Sequence, residues 1–246
     1  PHASEIRGLR HVAAALLATV NHRAYRHIAV SHAAARGEQT IRARKVDVCP
    51  LGASVSQISD SWEPWPLGTR IRLLSIGRLR RFKNFRTLVS AVHDSSHLMR
   101  REDAHLAIIG SGPDSAAIQH QIIKNDLGDI LSLWDARPNA ASLLSKADGL
   151  VIASRAEGGP ITAMEAVVAG TRLAMTPVGL ADDLTHVGQN VLVSPGVGRR
   201  DITSLLQAVT IQNPLTEAQR SLNQGGATAF SVDAAIKHFY GVISRA

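Results

Sequence analysis

The sequence holds a single cysteine, Cys49, so neither an internal disulfide framework nor a cysteine-built zinc site can form. Aromatic residues make up only 4% of the chain. No helix-turn-helix, RNA-recognition or zinc-finger pattern accompanies them, so nucleic acid is not an expected partner. No apolar run is long enough to span a bilayer and no secretory signal pattern stands out, which together point to a cytoplasmic location. Internal repeats and low-complexity tracts are also missing. The chain opens at Pro1 directly in helix-like sequence and reads as a piece of a longer protein. With 246 residues, 45% of them hydrophobic, it can build one large domain or one and a half ordinary ones.

Acid is scarce in two stretches. Residues 1–46 carry +6, and residues 70–86 carry +7 through Arg70, Arg72, Arg78, Arg80, Arg81, Lys83 and Arg86 with no acid among them. The rest of the chain sums to −6, for a net charge of +7. Two basic islands on a mildly acidic body imply anionic partners at two places, although a solvated helix face would also account for the first. The first island is compatible with peripheral attachment to the inner membrane face.

Apolar strands alternate with helices along the middle of the chain. Arg70–Gly77, His105–Gly110, Ile130–Trp134, Gly149–Ala153, Arg172–Met175 and Asn190–Val193 read as strands. Helical spacing relates Phe85, Leu88, Val89 and Val92, then Ile118, Ile122 and Ile123, and a short helix is expected over Ala140–Lys146. The expected fold is α/β, a Rossmann-like doubly wound parallel sheet. Its ligands would bind at the carboxyl ends of the strands, where Gly77-Arg78, Gly110-Ser111-Gly112 and Glu157-Gly158-Gly159 fall. Toward the amino end, residues 4–20 pattern as an amphipathic helix, His27–Ser31 as a strand leading into another helix, and Ser59–Gly68 as a connector. Val232, Ile236, Phe239, Tyr240 and Ile243 mark a final amphipathic helix.

Glu165 is the one charged residue between Gly158 and Thr171. Pro160 suits the first position of a helix there and Gly170 its end, so Ile161, Thr162, Val168 and Ala169 flank the carboxylate at helical spacing. A carboxylate among such neighbours is costly to bury unless something hydrogen-bonds to it. A polyol is one such partner. The alternative is an exposed glutamate, or one capped by a nearby arginine.

Five motifs occur in a familiar order: Cys49-Pro-Leu-Gly52, Ser75-Ile-Gly-Arg-Leu79 with Lys83-Asn84, Ile108-Ile-Gly-Ser-Gly-Pro113, Glu157-x7-Glu165, and Ala169-Gly-Thr171. Together with Ala29-Val-Ser31 they resemble the donor-binding half of family 4 retaining glycosyltransferases of the GT-B fold. The resemblance implies a nucleotide-sugar donor, as substrate and not cofactor, and a carbohydrate or lipid-linked acceptor. It implies a hexosyltransferase-type activity with no metal and no cofactor. The implied donor-binding residues are Gly77, Arg78, Lys83, Arg137, Glu157, Gly158, Gly159, Pro160, Ile161 and Glu165, of which Arg78, Lys83 and Glu157 are catalytic. Arg78 and Lys83 would meet the charge growing on the leaving diphosphate; Arg78 pairing with an acid across the sheet edge is the competing reading. Gly158-Gly159 would let phosphate approach the start of the following helix. Glu165 would hold the ribose hydroxyls, Glu157 the transferred sugar, and the loop at Arg137 and Pro138 the base. Asp182-Asp183, the nearest approach to a metal site, is expected to open a helix instead.

By the same resemblance, residues 1–48 are the remnant of an acceptor domain, 49–230 the nucleotide-sugar domain, and 231–246 a helix packing back toward the first. Val178-Gly179-Leu180-Ala181 stands where the family has a Gly-Gly pair. The chain by itself is expected to be inactive as a transferase. Two other functions stay open: a nucleotide-sugar-binding remnant without transfer, and a dinucleotide-binding Rossmann protein. Gly110-Ser-Gly-Pro113, which lacks a third glycine, disfavours the last.

Overall fold

The computed structural model describes residues 27–40, 46–54, 62–185, 190–224 and 227–244. The amphipathic pattern of residues 4–20 and most of the first basic island lie outside them. Strand β1 (His27–Ala29) leads into helix α1 (His32–Thr40) and pairs in parallel with β2 (Val46–Val48), forming a small sheet of its own. The main sheet has six strands: β3 (Ile71–Ile76), β4 (Ala104–Ile109), β5 (Leu131–Trp134), β6 (Gly149–Ile152), β7 (Arg172–Met175) and β8 (Val191–Val193). They are parallel throughout, in the order β5-β4-β3-β6-β7-β8. The chain winds outward from β3 to one edge, returns to β6, and winds outward to the other.

Strands buried on both faces need apolar residues at successive positions. In β4 every residue is buried. Leu106 and Ile108 join Ile71 and Leu73 in one core layer, while Ala107 and Ile109 join Leu74, Leu150 and Leu173 in the other. The first layer is covered by α2 (Phe85–Asp94), α4 (Ser115–Lys124) and α7 (Arg199–Thr210); α3 (Ser96–Arg101) adds Met99. The second is covered by α5 (Ile161–Val168), α6 (Ala181–Thr185) and the turn Ala140–Ser145, a 3-10 helix. Helices α8 (Glu217–Gln224) and α9 (Val232–Ile243) follow.

Three sequence expectations change. Ile123 is 69% exposed, because only Ile118 and Ile122 of α4 face the sheet. No element is expected from the sequence between Val193 and the final helix, yet α7 buries Ile202, Leu205, Leu206 and Val209 there, and Arg199 pairs with Asp94 of α2. On α9, Val232, Ile236, Phe239 and Tyr240 are exposed, so among the described residues nothing covers the apolar face that the spacing marks. The start of this helix is held instead. Ala53 N–H donates to the Phe230 carbonyl, and Gly52 lies against the Val232 backbone.

The glycines after β4 serve packing. A Cβ on Gly110 would stand 1.9 Å from the Gly77 carbonyl oxygen, and one on Gly112 would stand 2.5 Å from that of Leu79. The loops after β3 and β4 therefore lie backbone against backbone, joined by Leu79 N–H to the Ser111 carbonyl and Asp114 N–H to the Leu79 carbonyl, each 3.0 Å. Overpacking of this kind costs about 1–3 kcal/mol. Gly110→Ala should lose that much stability in urea unfolding, whereas Gly128→Ala, with nothing within 4 Å of the new methyl, should change it little.

Candidate functional site

The winding direction reverses between β3 and β6, and the loops leaving their carboxyl ends form the crevice in which open α/β sheets bind ligands. From β3 come Gly77, Arg78 and the 3-10 turn Arg81–Lys83; from β6 come Ser154, Glu157, Gly158 and Gly159. Lys83 Nζ and Glu157 Oε1 meet across the crevice at 2.5 Å, and the Ser154 hydroxyl donates to the same oxygen at 2.7 Å. The Lys83 and Glu157 side chains are only 19% and 10% exposed. Glu157 Oε2 takes part in neither contact. Beside the pair, the Arg155 N–H donates to the Phe82 carbonyl at 2.7 Å, joining the two loops through their backbones.

Around Glu157 the chain is tightly fitted. The loop after β7 places Gly179, at φ 59, where a Cβ would be 3.0 Å from both Glu157 Cβ and Pro160 Cδ. That conformation favours glycine, and a Cβ would press on both neighbours. So the loop that departs from the family's Gly-Gly pair still lies directly against the candidate sugar residue. Gly158 accepts a hydrogen bond from the Ser31 hydroxyl at 2.6 Å, and a Cβ on Gly159 would meet Val30 at 3.0 Å. The small size of Gly159 is therefore already used by Val30. Pro160 is the N-cap of α5 and not its first residue, with Ile161 following at 51% exposure.

Arg78 is exposed and, among the described residues, its side chain makes no ion pair or hydrogen bond; no acid reaches it across the sheet edge. Glu165 lies half-buried in α5, and burial raises its carboxyl above the ordinary value of 4.5. Among the described residues no arginine caps this carboxylate and it has no hydrogen-bond partner. Arg137 lies 3.9 Å over the Trp62 ring, which packs edge-on against Trp134 with centroids 5.2 Å apart. Arg137 thus rests on an aromatic ledge at the end of β5. Trp62 falls in the stretch that the sequence marks only as a connector, where its one signal is a bulky aromatic close to Pro64 and Pro66. Asp182 and Asp183 do open a helix, α6, where they pair with Arg36 and His32 of α1.

Residues 70–210, more than half of the chain, match the family model of glycosyl transferases group 1. The chain belongs to this family, and its fold is that of the GT-B glycosyltransferases. No curated protein matches it. Similar solved structures include sucrose-phosphate synthase from Thermosynechococcus elongatus, at 17% identity and TM-score 0.76 over 96% of this chain and 61% of that one. Anabaena Alr3699/HepE in complex with UDP and glucose also has 17% identity and TM-score 0.76, over 96% of this chain and 66% of its own. WaaG, a glycosyltransferase involved in lipopolysaccharide biosynthesis, has 18% identity and TM-score 0.66 over 85% and 61%. The chain spans less than two thirds of each of these three structures. Among the described residues no helix is long and apolar enough to cross a membrane.

The raised carboxyl of Glu165 has a definite sign in stability. Well below 4.5 it is protonated in both folded and unfolded chains; above that value the folded carboxylate carries a desolvation cost that the unfolded one does not. Glu165→Gln should therefore raise the Tm at neutral pH. The difference should shrink to nothing as the pH falls below about 4. A Gln variant less stable than wild type at neutral pH would mean that the carboxylate is engaged by the protein itself.

Proposed function

We propose that this chain supplies the donor half of a retaining, metal-independent glycosyltransferase that transfers a hexose from a nucleotide sugar to a carbohydrate or lipid-linked acceptor. The observation that carries this reading is the Lys83–Glu157 pair at the switch point, together with the side chains of Arg78 in the loop after β3 and Glu165 in α5, neither of which has a partner among the described residues. In the proposed arrangement the diphosphate lies against Arg78 and Lys83, near Gly77 and the first turn of α5 at Gly158, Gly159, Pro160 and Ile161. Arg78 can fork onto two phosphate oxygens while Lys83 supplies a compact charge. Both contacts strengthen as the glycosidic bond breaks and charge gathers on the leaving group, which is where electrostatic stabilisation lowers a barrier.

Glu165 accepts the ribose hydroxyls, replacing the water its burial excludes. Glu157 fixes Lys83 through Oε1 and presents Oε2 to a sugar hydroxyl, so one carboxylate orients the leaving-group cation and the transferred sugar together. The base lies on the Trp62–Arg137 ledge. Residues 49–230 form the nucleotide-sugar domain in this reading, residues 1–48 belong to the acceptor side, and residues 231–246 return toward it. Acceptor binding, and transfer itself, need the remainder of the two-domain enzyme. Attachment to the inner membrane face through the basic segment 1–46 belongs to the same reading. Dinucleotide binding is disfavoured because Gly110 and Gly112 are filled by the backbone of Gly77–Leu79.

Charge-assisted contacts of this kind contribute about 1.5–3 kcal/mol each. Arg78→Ala should therefore weaken nucleoside diphosphate binding by about tenfold or more in calorimetric titration. Lys83→Ala should do the same, and Lys83→Ala/Glu157→Gln, which leaves no unpaired buried carboxylate, should restore stability but not affinity. Binding should persist in excess chelator. Unchanged affinity in both arginine and lysine variants, or a strict need for a divalent ion, would contradict the assignment.

A further inference from the structure

Seven cations occupy residues 70–86, and the structure sorts them. Arg70 pairs with Glu102, Arg72 with Glu63 and Lys83 with Glu157. Arg78, Arg80, Arg81 and Arg86 are exposed and make no ion pair among the described residues. Two of these, Arg81 and Arg86, converge with Arg155 on an open pocket of about 470 Å³ between α2 and α4. None of the candidate donor residues lines it. Asp114 is its one acid, so the lining carries a net charge of +2.

The pocket is built rather than incidental. Asn84, 4% exposed, donates through Nδ2 to the Val197 carbonyl at 3.2 Å, and its Oδ1 receives Arg155 Nε at 2.9 Å and the Thr87 hydroxyl at 2.6 Å. A buried amide thus fixes the Arg155 guanidinium by one edge and leaves its terminal nitrogens for something else. On the opposite wall Gln121 Nε2 donates to Ser90 Oγ at 2.8 Å and to the Arg86 carbonyl at 3.2 Å, which fixes α4 against α2. Three guanidinium groups around a recess lined with hydroxyls and amides repel one another unless an anion joins them. Planar, forked donors of this kind match the oxygens of a phosphoryl group.

We propose that the Arg81–Arg86–Arg155 pocket, none of whose lining residues belongs to the proposed donor site, is a second anion site that takes the phosphoryl group of a soluble phosphate ester or of a lipid headgroup. Inorganic pyrophosphate is the probe. In an Arg78→Ala/Lys83→Ala background, which silences the crevice, calorimetry should still detect binding. Adding Arg81→Gln/Arg86→Gln should weaken that binding by about tenfold or more, while adding Asp114→Asn should strengthen it, and the Tm should hardly change in either case. Co-sedimentation with phosphatidylglycerol vesicles separates the sources: retention that Arg81→Gln/Arg86→Gln abolishes assigns a lipid headgroup, and retention that it leaves unchanged assigns a soluble ester. Absence of residual pyrophosphate binding, or residual binding indifferent to Arg81 and Arg86, would overturn the proposal. If Arg78→Ala/Lys83→Ala alone changes nothing, the crevice assignment fails and the pocket assignment still stands or falls on Arg81 and Arg86.

Discussion

The ion pair between Lys83 and Glu157 connects the two halves of the sheet where their winding directions part. It is little exposed on either side, and Ser154 shares the same carboxylate oxygen. A buried pair of this kind is weak evidence for stability, because desolvation offsets much of the attraction. Its value here lies in position. It holds a lysine and a carboxylate at the mouth of the crevice in one geometry. The surrounding backbone is arranged so that this geometry is kept: Gly110 and Gly112 seat the loop after β3, and Gly179 seats the loop that carries Glu157.

Much of the sheet could be read directly from the sequence. Continuous apolar runs such as His105–Gly110 and Gly149–Ala153 signal strands buried on both faces, and β4 and β6 occupy those places. The Glu165 helix was legible too, because one charge in a long apolar stretch is unusual, although Pro160 caps it instead of opening it. Helix α7 was legible in principle: Ile202, Leu205, Leu206 and Val209 follow helical spacing.

What could not be read is contact between distant segments. Lys83 and Glu157 are 74 residues apart and meet only because β3 and β6 are neighbours, which no local pattern encodes. Nor could the sequence show that Arg137 lies over Trp62, or that the Gly110-Ser111-Gly112 turn, which looks like a phosphate loop, is filled by the Gly77–Leu79 backbone. The basic island is similar. Its composition implies an anionic partner, but only the fold divides it into cations matched by Glu63, Glu102 and Glu157 and cations left open, two of which, Arg81 and Arg86, line one pocket. Acid-free composition signals excess charge; topology decides where that charge can act.

The most direct test of the central claim is a crystal structure of this chain with a nucleoside diphosphate. Its phosphates should lie against Arg78 and Lys83, with the Lys83–Glu157 pair retained or shared with a phosphate oxygen, and its ribose hydroxyls should donate to Glu165. A nucleotide bound elsewhere, or one in the crevice whose ribose leaves Glu165 without a partner, would contradict it.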